Sequence, residues 1–479
     1  MRVGAAMTRK LLVVGVMICL GGCSLAPKYS RPEAPVPAAW PSGPAYKQSA
    51  GAEKATAAAE VQWRQFFTDP GLQKVIGAAL ENNRDLKVAA LNVERARGMY
   101  RIQRNELLPR VETGVAASKQ RVRISGQTGL VTLQEFRVNL GITSWELDFF
   151  GRIRSLKDKA LEEFFASEQA RRSAQILLIS EVANAYLTLA ADRDNLKLAQ
   201  STLATQQAAY KLIERRVEVG FAPELDLRQV QTRVDSARVD VARYTTQVAQ
   251  DENALNLLVG SPVPEPILPR ELSVIKPLPD VSPGMSSEVL LQRPDILQAE
   301  NLLKAANANI GAARAAFFPR IVLTTSVGTA SGDLSGLFGP GSAVWAYAPQ
   351  AVLPIFDART WSALKVSKVD RDIAVAQYEK AIQSAFREVA DALAQRGTLD
   401  DQLAAQQSLL EATAQTYKLA NARYEKGIDI YLNVLDAQRS LYAAQQGLIA
   451  TRLAKLANQV RLYAVLGGGG DVGPTPTGR

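Results

Sequence analysis

Two very long stretches of the sequence contain almost no helix-breaking residues. Residues 152–219 contain neither Gly nor Pro over 68 positions, and residues 358–426 contain one Gly and no Pro over 69 positions. Because Gly and Pro are the residues that disfavour helix interiors most, each stretch is predicted to form one continuous helix. At a rise of 1.5 Å per residue, each helix would be roughly 100 Å long. No globular domain is that wide, so the chain is predicted to contain coiled-coil-like rods.

Apolar residues recur at every seventh position in the segment that follows each rod. In the two segments these positions are Leu227, Val234, Val241, Val248 and Leu255, and then Leu435, Tyr442, Ile449, Leu456 and Tyr463. A sustained seven-residue repeat is typical of the seam of a left-handed supercoil. Each rod is therefore predicted to be followed by a second helix that packs back along it.

The sequence repeats itself at an offset of about 207 residues. Residues 108–111 match residues 318–321, and residues 210–212 match residues 417–419 with shared Tyr-Lys-Leu. The matches predict an internal duplication in which each half contains a helix, two strands, a very long helix and a helix. A connector rich in proline separates the halves. The predicted boundaries are a signal peptide at 1–22, an extended N-terminal tether at 23–68, the first repeat at 69–260, the connector at 261–284, the second repeat at 285–467 and a flexible tail at 468–479.

Four segments alternate apolar and polar residues and are predicted to be strands. They are residues 110–123, the segment around 136–143, the segment around 321–327, and residues 343–356. Alternation over about ten residues is the weak signature of a transmembrane β-strand, and an exposed pair of hairpins is the alternative. Four strands are too few to close a barrel, which needs about eight, and open edges are not tolerated in lipid. If the strands span a membrane, several chains must associate, and three copies would supply twelve strands.

The N-terminus has the pattern of a secretory signal. Basic residues precede an apolar run at 11–20, which is too short for a membrane span and ends in Gly21-Gly22-Cys23. The segment Leu20-Gly21-Gly22-Cys23 resembles a bacterial lipobox, which implies that Cys23 becomes the lipidated first residue. The alternative is an ordinary signal with an incidental cysteine. Ser24 follows the cysteine where an Asp would favour the inner membrane, so the outer membrane is expected.

The composition excludes several classes of function. The chain has no His, which removes a Ser-His-Asp triad, an HExxH zinc site and a His-ligated haem. Both cysteines lie near the N-terminus, and the sequence contains no GxxxxGK[ST] phosphate loop. The formal net charge is +9, but no basic cluster is concentrated on one element and only 6% of the residues are aromatic, which argues against nucleic acid. We therefore expect no enzyme, no catalytic residue, no metal site and no cofactor other than a covalent lipid on Cys23.

The lipobox, the four strands and the duplicated long helices resemble the outer membrane factor (outer membrane efflux protein) family. The segments between the rods and the returning helices carry the same likeness, at Val219-Gly220-Phe221-Ala222-Pro223 and at Lys426-Gly427-Ile428-Asp429. Residues 431–442 are most similar to the lipidated OprM/NodT branch rather than to TolC itself. The resemblance implies an α+β membrane protein: a homotrimer whose twelve-stranded outer-membrane barrel, four strands per protomer, continues into a long periplasmic α-helical barrel with a closed lower aperture.

The resemblance also implies a function and partners. The protein would be the outer-membrane channel of a tripartite efflux pump, passively conducting drugs or other small molecules to the outside. Its partners would be a periplasmic adaptor protein, an inner-membrane pump of the RND type and outer-membrane lipid. Two alternatives remain open at this stage, which are the outer-membrane component of a type I protein secretion system and a non-conducting envelope scaffold lipoprotein.

A duct needs a gate rather than a catalytic site, and residues 427–439 are the candidate segment. Leu432 and Asp436 are four residues apart and share one helix face, so a threefold assembly would arrange each as a ring. An apolar ring can dewet a pore and an acidic ring attracts cations. Family members place their constriction at the positions that match Leu432 and Asp436. Arg439 is a candidate partner for that carboxylate or for a neighbouring helix, Asp226 is a candidate partner for Arg439, and an ordinary solvated helix pair is the alternative.

The gate is predicted to be asymmetric between the two halves. The first-half counterparts of Leu432, Asp436 and Arg439 are Leu225, Gln229 and Thr232. These carry no charge, so the second half alone would supply the charged ring. The TolC pattern has a second Asp at the position of Asn433, and its absence here predicts a single acidic ring.

The turns at the far ends of the rods are the second candidate site. A Gly there fits the C-terminus of a helix, and Pro223 fits the first turn of the next helix. The resemblance implies that these tips dock the hairpins of the adaptor. The tip residues are Gly220, Phe221, Ala222, Pro223, Gly427, Ile428 and Asp429.

Overall fold

A computed structural model describes most of the chain. The described residues are 24–47, 58–123, 125–126, 129–275, 278–279, 281–284 and 286–470, with Ala59 described by its backbone alone. The predicted signal peptide, the predicted lipidation site Cys23 and the end of the predicted tail lie outside these residues. The chain divides into two compact units, and each draws on both halves of the sequence.

The first unit, called the strand unit, comprises residues 24–33, 92–168 and 298–378. It contains one antiparallel sheet of four strands in the order β1-β2-β3-β4. The strands are β1 (Val111–Arg123), β2 (Leu130–Leu147), β3 (Arg320–Ser331) and β4 (Ala343–Val352). All four predicted strands are present. The fourth ends at Val352 rather than at Phe356, because Pro354 lacks an amide donor and restricts the residue before it.

The two faces of the sheet differ in composition. The register pairs Val115 with Val138, Leu140 with Val327 and Val327 with Trp345, so that these side chains share one face. This apolar face is largely exposed and comprises Val111, Val115, Val138, Leu140, Ile321, Leu323, Val327, Trp345 and Tyr347. The opposite face, called the small-residue face, includes Gly114, Ala116, Ser326, Gly328, Ala346 and Ala348, together with the polar Glu112, Arg137 and Asn139 and the apolar Leu133, Val322 and Val344.

Two glycines on the small-residue face allow neighbouring strands to approach closely. A Cβ at Gly141 would overlap the carbonyl oxygen of Thr325, and a Cβ at Gly328 would overlap that of Val138. Glycines at such positions let a sheet bend sharply. The register of β2 against β3 also shifts between Ile142 and Trp145, a bulge that further curves the sheet.

The first long helix begins directly after β2. Its start is capped by Asp148, whose carboxylate accepts the backbone N–H of Ile153 at 3.1 Å and that of Arg154 at 2.9 Å. The nearly buried Glu146 at the end of β2 pairs with Arg152 at 2.8 Å and with Arg320 at 2.5 Å. These charge-assisted bonds fix the direction in which the helix leaves the sheet.

The two rods are the longest elements of the molecule, as predicted. They are α4 (Arg152–Glu218, 67 residues) and α7 (Ala358–Glu425, 68 residues). They are preceded in the chain by α1 (Trp63–Phe66), α2 (Pro70–Asn82) and α3 (Arg84–Asn105), and α6 (Pro294–Ala315) precedes β3. At 1.5 Å per residue each rod is about 100 Å long. One 18-residue window of α4 is apolar enough to cross a membrane by composition, but 56% of it is buried inside the protein, as in a core helix.

The second unit, called the helical unit, comprises the described residues of 34–91, 169–297 and 379–470. The returning helices here are α5 (Glu224–Val259) and α8 (Tyr431–Val465). The ends of the predicted seven-residue seams are buried, with Leu255 fully enclosed and Leu435 only 2% exposed. In its packed core the ring of Phe66 stacks on that of Tyr463 at a centroid distance of 4.0 Å.

The N-terminal segment is held by specific contacts. Residues 24–47 contain no helix or strand. In the strand unit, Arg31 pairs with the buried Glu300 at 2.6 Å and the Tyr29 hydroxyl donates to the same carboxylate at 3.1 Å. In the helical unit, Trp40 stacks on Phe386 at 5.3 Å. The predicted tether therefore packs against helices in its first part, and it is not extended throughout, because its end folds into α1 and buries Trp63 and Phe66 in the core.

Candidate functional site

The turn between α4 and α5 closes the first rod with a left-handed glycine. Gly220 has φ +80°, which a residue with a Cβ rarely adopts. The N–H of Phe221 donates to the carbonyl of Arg216 at 2.7 Å, and that of Gly220 donates to Val217 at 3.0 Å. This pair of bonds is a Schellman motif, which satisfies the last carbonyls of the helix. The prediction that Gly220 ends the helix is confirmed.

The turn between α7 and α8 has the same geometry. Gly427 has φ +72°, and the N–H of Ile428 donates to Arg423 at 3.0 Å while that of Gly427 donates to Tyr424 at 2.9 Å. The Arg423 guanidinium also holds the carboxylate of Asp429, with the shortest contact at 2.5 Å. This hydrogen bond lowers the pKa of Asp429 below its ordinary value. The second turn is thus closed by an ion pair in addition to the glycine.

The start of α5 differs slightly from the prediction. Pro223 is the residue immediately before the helix, with φ −72°, and Glu224 is its first residue. Pro223 accepts the N–H of Asp226 at 3.0 Å through its carbonyl. The fixed φ of proline is close to the value that this position has. Its missing N–H costs nothing here, because a residue that flanks the start of a helix needs no N–H donor. Ala222 is half-buried between this proline and the exposed Phe221.

The four helices at the tips share one apolar core. Its central side chains are at most 9% exposed and come from α4, α5 and α8; they are Ile213, Leu227, Val230, Tyr431, Val434 and Leu435. Partly buried residues of α7 pack against the same cluster. The hairpins of the two halves are therefore joined at this end by burial of apolar surface rather than by polar contacts alone.

Leu432 and Asp436 lie on the exposed face of α8. Their neighbours Tyr431, Val434 and Leu435 are buried on the opposite face, whereas Leu432 is 50% exposed and the Asp436 side chain is 62% exposed. The 3.6-residue period of the helix produces this separation. Both candidate gate residues thus point away from the core of their own protomer.

Arg439 pairs with Asp436 within the same helix. Its Nη2 atom lies 2.5 Å from Asp436 Oδ1, and both side chains are more than half exposed. An exposed pair of this kind contributes less than about 1 kcal/mol. Within one protomer the acidic position is therefore locally neutralised. Among the described residues Asp226, which is half-buried, makes no ion pair, so its pairing with Arg439 of another protomer stays a prediction.

The first-half counterparts of the three gate positions carry no charge. Leu225 is 64% exposed and Gln229 is half-buried. The hydroxyl of Thr232 donates to the carbonyl of Gln229 at 2.7 Å, within its own helix. These three positions offer an apolar and an amide surface where α8 offers an ion pair. The difference follows directly from the residue types.

An Arg-Tyr-Tyr column at the tip was not predicted from the sequence. The Nη1 atom of Arg216 donates to the hydroxyl of Tyr424 at 3.0 Å, and its guanidinium carbon lies 5.4 Å from the ring centroid. The ring of Tyr424 in turn lies 4.8 Å from that of Tyr431. Burial raises the pKa of Tyr431 to about 12. In the sequence, this column is indicated only by the seven-residue spacing between Tyr424 and Tyr431.

No metal centre is present in the part of the chain that the structure describes. Within those residues no group of three or more Cys, Asp or Glu side chains could hold a metal ion. Two acids at the tips, the exposed Asp436 and the partly buried Asp429, are each paired with an arginine.

Comparison with known proteins gives the class. A family model described as outer membrane efflux protein matches residues 75–261 and again residues 285–468. The chain is 50% identical over 470 residues to a probable efflux pump outer membrane protein, TtgC, of Pseudomonas putida, which covers 97% of this chain and 96% of that protein. It is 41% identical over 462 residues to the outer membrane protein OprJ of Pseudomonas aeruginosa, at 96% and 95% coverage.

Solved structures of outer membrane channels have a fold similar to that of this chain. The open-state MtrE outer membrane channel of Neisseria gonorrhoeae matches with a TM-score of 0.84 and 38% identity, covering 93% of this chain and 98% of that one. The CmeC outer membrane channel of Campylobacter jejuni matches with a TM-score of 0.85 and 27% identity, covering 93% and 95%. The protein is an outer-membrane efflux channel with mixed helical and sheet structure and a periplasmic helical extension, and such channels are not enzymes. The chain belongs to the outer membrane efflux protein family.

These findings decide between the functions that the sequence left open. The predicted family and the predicted role as an efflux channel are confirmed by the matching family model and by the names of the relatives. Neither protein secretion nor a non-conducting scaffold is favoured by any of them. The expectation of a non-enzyme is confirmed on the same ground.

Proposed function

We propose that this chain is the exit duct for small apolar toxicants, such as antibiotics and aromatic solvents, in a tripartite pump. The observation that carries this proposal is the four-stranded sheet with one apolar and one small-residue face, joined by a turn of four residues to a rod of about 100 Å. The relatives support the choice of cargo, since matches at 50% identity are named antibiotic and toluene efflux pump proteins of Pseudomonas putida.

The active unit is a homotrimer with a twelve-stranded barrel. Strands β1 and β4 are the edges of the sheet within one chain, and an open edge in lipid would leave backbone groups unsatisfied. Pairing β1 of one protomer with β4 of the next removes all edges. The apolar face then meets lipid, and the small-residue face, bent at Gly141 and Gly328, lines the lumen.

The chain arose by internal duplication. Both halves have the element order of a helix, two strands, a rod and a returning helix, and the same family model matches each half. The identical Schellman turns at Gly220 and Gly427 support this origin. A duplicated unit lets three chains supply six similar hairpins around one axis, which is why a trimer can form a continuous helical tube.

The anchor is a lipid on Cys23, in addition to the barrel. Ser24 is the first described residue, and the segment that follows is fixed to the strand unit through Arg31 and Glu300. An acyl chain alone gives only marginal membrane binding, so the lipid orients a protein that the barrel retains.

The periplasmic aperture is closed by rings of Leu432 and Asp436. Both side chains point away from the protomer core, as a pore-lining position requires. The apolar ring of Leu432 excludes water. One helical turn away, the three Asp436–Arg439 pairs form an ionic ring of little net charge. The uncharged counterparts Leu225, Gln229 and Thr232 support a gate that the second half alone controls.

The tips dock a periplasmic adaptor protein, which links the duct to an inner-membrane pump of the RND type. Large apolar side chains are exposed there, with Phe221 at 85%, Ile430 at 65% and Ile428 at 58%. Clustered exposed apolar residues at the end of a rod favour a protein partner. The glycines beside them let the turns stay compact enough to fit between the helices of a hairpin.

The test is complementation of a strain that lacks its own outer-membrane efflux channel, together with conductance in a planar bilayer. We expect the wild-type protein to restore resistance to toluene and to lipophilic antibiotics, and the Leu432→Ala protein to conduct more than wild type. Restored secretion of a polypeptide without restored drug resistance would refute the proposed cargo. Absence of conductance from both proteins would refute the channel itself.

A further inference from the structure

One face of β1 changes from apolar to cationic along its length. Side chains of the same face alternate along the strand, so residues 111, 113, 115 and 117 share a face with residues 119, 121 and 123. The first four are Val, Thr, Val and Ala, and the last three form a cationic strip of Lys119, Arg121 and Arg123. This switch lies within a single regular strand of 13 residues.

Among the residues that the structure describes, the strip has no anionic partner. The residues paired with it across β2 are Gln134, Thr132 and Leu130. In the described part of the chain none of the three cations makes an ion pair, and all three are exposed. The nearest acid along β2, Glu135, lies on the opposite face and is already bound to Arg137 at 2.6 Å.

Three like charges so arranged repel one another. Successive side chains on one face of a strand are about 6.8 Å apart, which is within a Debye length at physiological ionic strength. Anions with a similar spacing would stabilise such an arrangement of cations. A multivalent anionic surface beside the strip would therefore displace single chloride ions from it.

The strip lies at the end of the sheet that is remote from the helices. Helix α3 precedes β1 and α4 follows β2, so the β1–β2 turn is at the opposite end. Strand β3 pairs with β2 only from Phe136 onward, so residues 118–123 and 130–135 project beyond the rest of the sheet. With the helices in the periplasm, this projecting hairpin is at the outer surface of the membrane.

We propose that Lys119, Arg121 and Arg123 bind the phosphate groups of glycolipid head groups in the outer leaflet. The inference rests on the proposed function, because it needs the sheet to be a barrel with its apolar face in lipid. The apolar residues of the same face would then contact acyl chains, and the cations would meet the phosphates directly above them. Long basic side chains are suited to this boundary, since their stems are apolar and their ends are charged.

The partner is a phosphorylated lipid rather than a protein, because the cationic strip continues the lipid-facing surface without interruption. The contact would fix the depth at which the barrel sits in the membrane. It would also hold glycolipids of the outer leaflet against the outside of the barrel. Three protomers would supply nine such cations around the rim.

The test compares lipid retention by three proteins purified in detergent. They are wild type, the neutral variant Lys119→Gln/Arg121→Gln/Arg123→Gln, and the charge-conserving variant Lys119→Arg/Arg121→Lys/Arg123→Lys. Each is titrated with bisphosphorylated lipid A and with dephosphorylated lipid A, and bound lipid is counted by native mass spectrometry at two salt concentrations. Planar-bilayer conductance of all three proteins is measured in parallel.

We expect the neutral variant to lose affinity for bisphosphorylated lipid A about tenfold or more, because it lacks three cations that each attract an anionic lipid surface. The charge-conserving variant should bind like wild type, and dephosphorylated lipid A should bind all three equally weakly. Equal retention of bisphosphorylated lipid A by the neutral variant would overturn the proposal, as would loss of binding in the charge-conserving variant. Conductance should be unchanged throughout, so a failure of the lipid contact is distinguished from a failure of the channel assignment.

Discussion

The Asp436–Arg439 pair allows the charge of the gate to be set in either direction. The two groups are 2.5 Å apart and belong to the same helix, so a ring of three such pairs has little net charge. Asp436→Ala would leave three Arg439 cations around the axis, and Arg439→Ala would leave three Asp436 anions. Each single replacement therefore creates a like-charged ring where the wild-type protein has a balanced one.

The magnitude follows from Coulomb's law. Two unit charges about 10 Å apart in water repel by about 0.4 kcal/mol, and a ring of three contains three such interactions, which together amount to about 1 kcal/mol. This repulsion destabilises the narrow state and should raise the ratio of open to closed channels roughly fivefold. The lost pair itself contributes little, because both side chains are largely exposed.

The assay is single-channel recording in planar bilayers with a salt gradient. Both single variants should conduct more than wild type, with Arg439→Ala becoming more selective for cations and Asp436→Ala shifting the ion preference towards anions. The double variant Asp436→Ala/Arg439→Ala has no ring charge and should open less than either single variant. Leu432→Ala should raise conductance without changing ion preference and should let vancomycin enter cells.

The matched control is Gln229→Ala, the first-half counterpart of Asp436, which should change conductance little. If it opened the channel as readily as Asp436→Ala, control of the gate by the second half would be wrong. If the double variant opened as much as the single variants, ring repulsion would not be the cause. Unchanged conductance in both Leu432→Ala and Asp436→Ala would place the constriction elsewhere in the tunnel.

Four further predictions concern the anchor, the assembly and stability. Mass spectrometry should find an acylated N-terminus at Cys23, and Cys23→Ala should lose the lipid while the barrel still inserts; an unmodified N-terminus elsewhere would contradict this. Native mass spectrometry in detergent should give a trimer, and a stable monomer would refute the barrel. Because burial raises the pKa of Tyr431 to about 12, neutral Tyr431 stabilises the tip fully below about pH 10, and this contribution is lost as the pH rises towards 12. Thermal unfolding of Tyr431→Phe should therefore lose less stability over that range than wild type, and an identical pH profile would contradict the assignment. Glu300→Ala removes the buried partner of Arg31, so limited proteolysis should cut the segment around residue 31 faster, and an unchanged rate would show that this pair does not hold the segment.

Much of the fold could be predicted because its strongest determinants are local. The absence of Gly and Pro from residues 152–219 sets the length of a rod whatever packs against it, and the observed helix ends one residue earlier, at Glu218. Alternation and the seven-residue repeat likewise depend on neighbouring residues alone. The strand predicted to end at Phe356 ends at Val352. Apolar residues continue beyond Val352 and favoured a longer strand, whereas Pro354 ends it.

The sequence by itself thus determined the rods, the strands, the glycine turns and the exposed face on which Leu432 and Asp436 lie. Only the tertiary structure decided how residues far apart in the chain combine. Arg216 and Tyr424 are 208 positions apart, and their hydrogen bond exists because the two halves of the chain pack their hairpin ends around one core. The compact units also cut across the sequence halves, since each half supplies two strands to one sheet and one returning helix to the helical unit. The physical reason is that periodicity fixes which face of an element is apolar, whereas burial of that face against a particular partner depends on the arrangement of the whole chain.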